Sequence, residues 1–204
     1  MPPAARGRSP RRWALPVDPA GGRENIPMPS LTIRPERPEE FSTIYAFVKE
    51  AFSTARVSDG TEQDFVNSLR SGGNYIPELA LVAEENGELA GHIMLTEIPL
   101  RLDDAEEEQP LTVLLLAPVS VRLESRDRGI GSALIHAAFE RARAKGYKAV
   151  FLAGDPGYYG RFGFQEARTF GISHTPDSLP EQYTLGCELV PGALAGVKGT
   201  VAIV

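Results

Sequence analysis

Residues 126–147 read RDRGIGSALIHAAFERARAKGY: a basic loop with two glycines that runs into an amphipathic helix. Leu134, Ile135, Ala138, Phe139 and Ala142 recur three and four apart, so one stripe of about four turns is apolar. Gly146 is the stop signal. Just upstream, LTVLLLAPVSV (111–121) is nearly all apolar, which suits a strand covered on both faces. Pro118 has no N–H to donate, so strand pairing should bulge or fail beside it. Downstream, KAVFLAG (148–154) predicts a second buried strand. Buried strand, glycine loop, helix, buried strand is an α/β arrangement.

The loop at the centre of this arrangement has a definite chemistry. The first amides of a helix lack internal partners, and the helix dipole makes them attractive to anions. Glycine carries no Cβ, so a phosphate can approach the backbone closely. Several N–H bonds to a charged group, at roughly 1.5–3 kcal/mol each, outweigh the dipole's roughly 0.3–1 kcal/mol. Arg126 and Arg128 would add charged donors. The loop therefore suits a phosphate or diphosphate, although by itself it also fits a plain glycine turn feeding a helix. A Walker loop is excluded because no Gly-Lys-Ser/Thr follows. A Rossmann fingerprint is excluded because Leu134 stands where its third glycine belongs.

Working outward, LTIRP (31–35) reads as a short strand and Pro38 as the first turn of a helix, with Glu39 and Glu40 at its positive end. Phe41, Ile44, Tyr45, Val48 and Phe52 mark its buried face. Thr61 and Asp64 resemble a variant capping box, opening a helix that buries Phe65, Val66 and Leu69. Two β-rich runs around Asn86-Gly87 predict a hairpin with a type I′ turn. LDDAEEEQP (102–110) reads as an acidic, solvated connection. Asp155-Pro156 is an N-cap and first-turn pair for a short helix, after which GRFGFQEA turns back into strand with Phe162 and Phe164 in the core. No internal repeat is present.

Residues 1–29 are rich in Pro, Gly and Arg without apolar period, which predicts a disordered tail before a domain at 30–204. Met28 is a natural domain start, and the apolar run after Arg11-Arg12-Trp13 is too short and Pro-broken for an export signal. The 204 residues carry a net charge of -6, which argues against a nucleic-acid binder and mildly favours cationic partners such as amines. No run is long enough for a membrane span, and the expectation is a cytoplasmic protein. Cys187 is the sole cysteine, so disulfides and thiolate clusters are out, and it reads as a small core side chain. His92, His136 and His174 share no metal-ligand spacing and read as structural; no metal is expected.

Arg126-x-x-Gly129-x-Gly131 resembles the Gln/Arg-x-x-Gly-x-Gly/Ala motif of the GNAT superfamily of N-acetyltransferases. IPELALVAEENGELAGHI, the strand with its proline, the long helix, GDPGYYGRFGF and PGALAGVKGTV are similar to its YhbS-like branch, over about residues 30–204. The resemblance implies an acyl-CoA N-acyltransferase fold: a mixed α/β, mostly antiparallel sheet of about seven strands with helices on both faces. The strand ending at Val121 and the one at 150–153 would splay to admit the cofactor. It implies acetyl-CoA as acetyl donor, with its pyrophosphate on Arg126, Asp127, Arg128, Gly129, Ile130, Gly131 and Ser132. Backbone groups of Val119, Ser120 and Val121 would pair with the pantetheine arm, and an N–H there would polarise the thioester carbonyl. Asp127 departs from the family's usual Gly or Asn; it tolerates a left-handed backbone but brings a carboxylate near the phosphates.

The implied reaction is attack of a neutral primary amine on the thioester. A phenol is a suitable proton donor to the departing thiolate. Tyr159, four residues before Gly163, holds the position of the family's tyrosine acid and is also expected against the cofactor. Tyr158 should face elsewhere. Glu97 lies near a strand end but reads as a surface carboxylate, and no base is assigned. The acceptor, expected beside residues 53–60, 74–78 and the region after Phe164, stays open among antibiotic, polyamine, amino acid and protein amines. Monomer or homodimer, and a donor other than acetyl-CoA, also stay open. The rival reading is a non-catalytic CoA-binding or regulatory module of the same fold.

Overall fold

Alternation and continuous apolar runs both end up in one nine-stranded sheet, which the computed structural model describes over residues 30–55, 58–103, 110–175 and 179–203. The N-terminal tail and the acidic stretch 104–109 lie outside the described residues. In chain order the strands are β1 (Leu31–Pro35), β2 (Tyr75–Glu85), β3 (Glu88–Leu102), β4 (Leu111–Val121), β5 (Ala149–Ala153), β6 (Gln165–Glu166), β7 (Ile172–Thr175), β8 (Thr184–Glu188) and β9 (Gly199–Ala202). The path β1-β2-β3-β4-β5-β8-β6 holds the seven strands anticipated. Two more extend it: β9 pairs antiparallel with the end of β3, where β2 has finished, and β7 lies parallel to β9. Within the main path β4–β5 is the parallel pair; its other pairs are antiparallel.

Four helices cover the sheet: α1 (Phe41–Phe52), α2 (Glu62–Ser71), α3 (Ile130–Ala144) and α4 (Pro156–Tyr159). On one face α3 lays Leu134, Ile135, Ala138, Phe139 and Ala142, all buried, against Leu81, Ile93, Leu95, Leu114 and Val150. On the other, Ile44, Val48 and Val66 of α1 and α2 cover Ala80, Val82 and Met94. Beside them Leu194, Val201 and Ile203 of the C-terminal segment cover Val113, Leu115 and Phe151. The stripes of α1 and α2 are narrower than their sequence suggests: Phe41, Tyr45, Phe52, Phe65 and Leu69 are only half-buried, at the margins of the contact.

The turn chemistry is as read, with one correction. Asn86 and Gly87 both take positive φ (55° and 85°), as a type I′ turn requires. The Asp155 carboxylate accepts from Gly157 N at 2.9 Å and caps α4. Thr61, however, does not cap α2 with its side chain; its hydroxyl donates to Asp59 Oδ1 at 2.6 Å, a nearer acceptor than the helix offers as donor.

Candidate functional site

Pro118 sets the geometry of the site. Along β3–β4, Ile93 faces Val119 and Leu95 faces Leu116, so Ala117 and Pro118 together oppose Met94, a bulge. On the other side β4 pairs with β5 only at Leu114↔Val150 and Leu115↔Phe151. From there to Val121 the edge of β4 has no strand beside it among the described residues, so its backbone groups are free to bind something else. Val119 and Val121 turn toward α3, whereas Ser120 is buried on the opposite face with its Oγ 3.5 Å from the His92 carbonyl.

The chain then enters α3 through two left-handed residues, Asp127 (φ 59°) and Gly129 (φ 84°). Ala133 N is the first amide to bond within the helix, to Gly129 O at 2.9 Å. The N–H groups of Ile130, Gly131 and Ser132 have no acceptor inside the helix. A Cβ on Gly131 would lie 3.0 Å from the Tyr158 hydroxyl, 3.5 Å from Val121 Cγ2 and 3.9 Å from Val119 Cγ1. Glycine thus keeps open a narrow space between the β4 edge, the start of α3 and α4.

Both loop arginines have side-chain partners within the protein. Arg126 donates to the Ala51 carbonyl in the last turn of α1 and to Thr54 Oγ1 (3.0 Å), a favourable place for a cation at a helix C-terminus. Arg128 pairs with Glu85 through both terminal guanidinium nitrogens, Nη2 at 2.5 Å and Nη1 at 3.1 Å. Asp127 sits between them in sequence, so two cations are balanced by two carboxylates.

On α4 the neighbouring tyrosines diverge, their rings crossing at 79°. Tyr159 packs on Leu152 and Gly154 at the end of β5 and edge-on against Phe164. Burial, reinforced by Tyr158, pushes its phenol well above the ordinary value of 10. Tyr158 does not turn away from the cleft: its hydroxyl reaches the Gly131 space, and the Arg161 guanidinium lies over its ring at 4.1 Å.

The other candidates fall outside this cleft. Glu97, half-buried rather than on the surface, accepts from the Tyr147 hydroxyl at 2.5 Å; burial first and this bond second raise Tyr147 to about 12. Cys187 is buried, its thiol pushed up to about 11 by desolvation, and donates weakly to Phe162 O. The segment after Phe164 frames a cavity of about 220 Å³ lined by Arg168, Ser173, His174, Glu181 and Thr184. Thr184 is the cross-strand partner of Ala153, at the end of the strand that borders the cleft.

Sequence reasoning missed one cluster. Glu36, 6% exposed, accepts from Arg70 Nε and Nη2 (2.7 Å each), from the Tyr75 hydroxyl (2.9 Å) and from His92 Nε2 (2.9 Å). Burial would raise its carboxyl, but the Arg70 and His92 bonds prevail and hold it at about 2. Desolvation keeps the fully buried His92 neutral. The nearest trace in the sequence is His92 within the apolar stretch LAGHIML of β3.

The comparisons agree with this geometry. The sequence pattern of the acetyltransferase (GNAT) domain matches residues 32–167. The N-acetyltransferase YjhQ of Escherichia coli K12 is 33% identical over 60% of this chain, a stretch that spans 65% of YjhQ's own length. A crystal structure of the Escherichia coli N-acetyltransferase YhbS with CoA superimposes with a TM-score of 0.73 at 26% identity, over 86% of this chain and 91% of that one. A GNAT acetyltransferase from Brucella melitensis, crystallised with acetyl-CoA, gives 0.64 at 30% identity, over 86% and 96%. A parted β4–β5 pair, a glycine-opened helix start and a domain pattern covering most of the folded chain together mean that this chain belongs to the GNAT family of N-acetyltransferases.

Proposed function

We propose that the chain transfers an acetyl group from acetyl-CoA to a primary amine by direct attack of the amine on the thioester. The observation that carries this reading is the free edge of β4 from Leu116 to Val121 ending at the unpaired amides of α3. The residues present fit such a ligand. Ile130, Gly131 and Ser132 offer N–H groups to a diphosphate, and Gly131 leaves the space that a Cβ would fill. Arg126, Asp127, Arg128 and Gly129 shape the loop through their backbone, and Val119, Ser120 and Val121 offer the edge to a pantetheine arm.

When bound, acetyl-CoA supplies the acyl group as an activated thioester. An N–H on the β4 edge polarises the thioester oxygen, a contribution typically of a few kcal/mol. Tyr159 acts as the acid. Its hydroxyl is protonated at neutral pH and gives its proton to the departing CoA sulfur as the C–S bond breaks, recovering one from the nitrogen that has attacked; burial raises the phenol's pKa and so weakens it as a donor. The acceptor amine enters from the side of the Arg168–Thr184 cavity, which adjoins the end of β5.

Titration calorimetry with acetyl-CoA, with CoA and NADH alongside, tests the donor. Selective binding of acetyl-CoA and CoA supports the reading, and thiol release in the presence of an amine panel then tests transfer. Binding without thiol release across the panel would favour a CoA-binding module; no binding would end the proposal.

A further inference from the structure

If the site holds acetyl-CoA, as proposed, a full positive charge beside its diphosphate would add to the amides of α3, and both loop arginines already have partners. Arg126 is anchored to the end of α1, and Arg128 is anchored to Glu85. The Asp127 carboxylate and Glu85 leave the loop with no net side-chain charge. The amides of α3 are donors but carry only partial charge.

Across the cleft the situation differs. Arg161 follows α4 and makes no ion pair with a carboxylate among the described residues. Its guanidinium rests on two aromatic faces, 4.1 Å from the Tyr158 ring centroid and 5.0 Å from that of Phe162. Stacking of this kind pre-organises an arginine without using its N–H donors. The same Tyr158 reaches the Gly131 space with its hydroxyl, so the charge stands one tyrosine ring away from the free amides.

We infer that Arg161, seated on Tyr158, is the arginine that pairs with the cofactor diphosphate, in place of the two arginines of the glycine loop. α3 then binds the diphosphate from one side with amides, and the turn after α4 binds it from the other with a full charge. Tyr158 is the positioning residue that aims the guanidinium.

The test compares Arg161→Gln, Arg161→Lys and Arg128→Gln by calorimetry with acetyl-CoA, 3′-dephospho-acetyl-CoA and S-acetylpantetheine. The expected result is at least a tenfold loss for Arg161→Gln with both nucleotide-bearing ligands and none with S-acetylpantetheine. Arg161→Lys should recover part of the loss, and Arg128→Gln should lose less than Arg161→Gln. An equal or greater loss for Arg128→Gln would overturn the assignment. A loss seen with acetyl-CoA and absent with the dephospho ligand would overturn it too, moving Arg161 to the 3′-phosphate. Failure of the unaltered protein to bind any of the three would instead sink the acetyl-CoA reading itself. Arg161 is exposed, so an unchanged melting temperature serves as the folding control.

Discussion

At the scale of single residues, Gly131 and Tyr159 carry the reading and can be separated by experiment. Gly131→Val puts a branched side chain where Tyr158, Val119 and Val121 already converge, so it removes ligand space without touching Tyr159. Acetyl-CoA affinity should fall at least tenfold in calorimetry; an unchanged affinity would remove the diphosphate from α3. Tyr159→Phe deletes one hydroxyl and keeps the ring against Leu152 and Phe164. Turnover should fall by about 10²-fold or more, with acetyl-CoA affinity nearly intact, as for a group that acts in the transition state. An equal rate from pH 6 to 9 would rule out the acid role. Gly131 drew attention through local chain geometry, as a glycine at a helix start, and Tyr159 through its match to the tyrosine of the GNAT motif, four residues before Gly163. The protein partners of Arg126 and Arg128 were not legible, because Ala51, Thr54 and Glu85 lie far off in sequence and only the folded chain brings them together.

At the scale of elements, the Glu36 node ties four pieces together: the segment after β1, α2 through Arg70, the start of β2 through Tyr75, and β3 through His92. Glu36→Ala would leave Arg70, whose side chain is 6% exposed, buried without its counter-charge. Removing one partner of a buried pair costs about 3–5 kcal/mol, which urea unfolding would show. The node also sets a pH response. The native Glu36 carboxyl lies below its ordinary 4.5, at about 2, so the stability it contributes is fully present above 4.5 and is lost as pH falls toward 2. That is about 3 kcal/mol in all. His92 is held below 6.5, so the unfolded chain takes up a proton that the native chain refuses, and stability already declines below 6.5. Urea melts between pH 7 and pH 2 should therefore show a two-stage fall, and His92→Gln should flatten the upper stage. An unchanged upper slope would place that decline on other groups. None of this was readable beforehand, since a carboxylate in ERPEE looks like any other surface acid.

For the molecule as a whole, individual strands and helices followed from apolar runs, turn residues and helix stripes, all of them local signals, whereas the mixed sheet of about seven strands came from the resemblance to the GNAT superfamily. The pairing of β9 with both β3 and β7 came from neither, because four-residue strands carry too little pattern and their register is fixed by packing of Leu194, Val201 and Ile203 on Phe151. The parted sheet makes a prediction at this scale. Acetyl-CoA at a hundred times its dissociation constant should stabilise the fold by about 2.7 kcal/mol. New hydrogen-exchange protection should fall on residues 116–121, 126–132 and 156–162, leaving β1 and β2 as they were; protection spread evenly over the sheet would contradict a local cleft. The same parting bears on how the chain avoids its own kind. An open strand edge is ordinarily an invitation to aggregate, because another chain can add itself there. Here the opening is wedge-shaped: it closes where Leu115 meets Phe151, and Val119, Val121, α3 and Tyr158 crowd its inner wall. A thin, linear molecule can thread such a wedge, whereas an extended polypeptide needs a full strand's width along its whole length, about 4.8 Å on either side. The cleft proposed to take the cofactor is thus a poor fit for a stray strand.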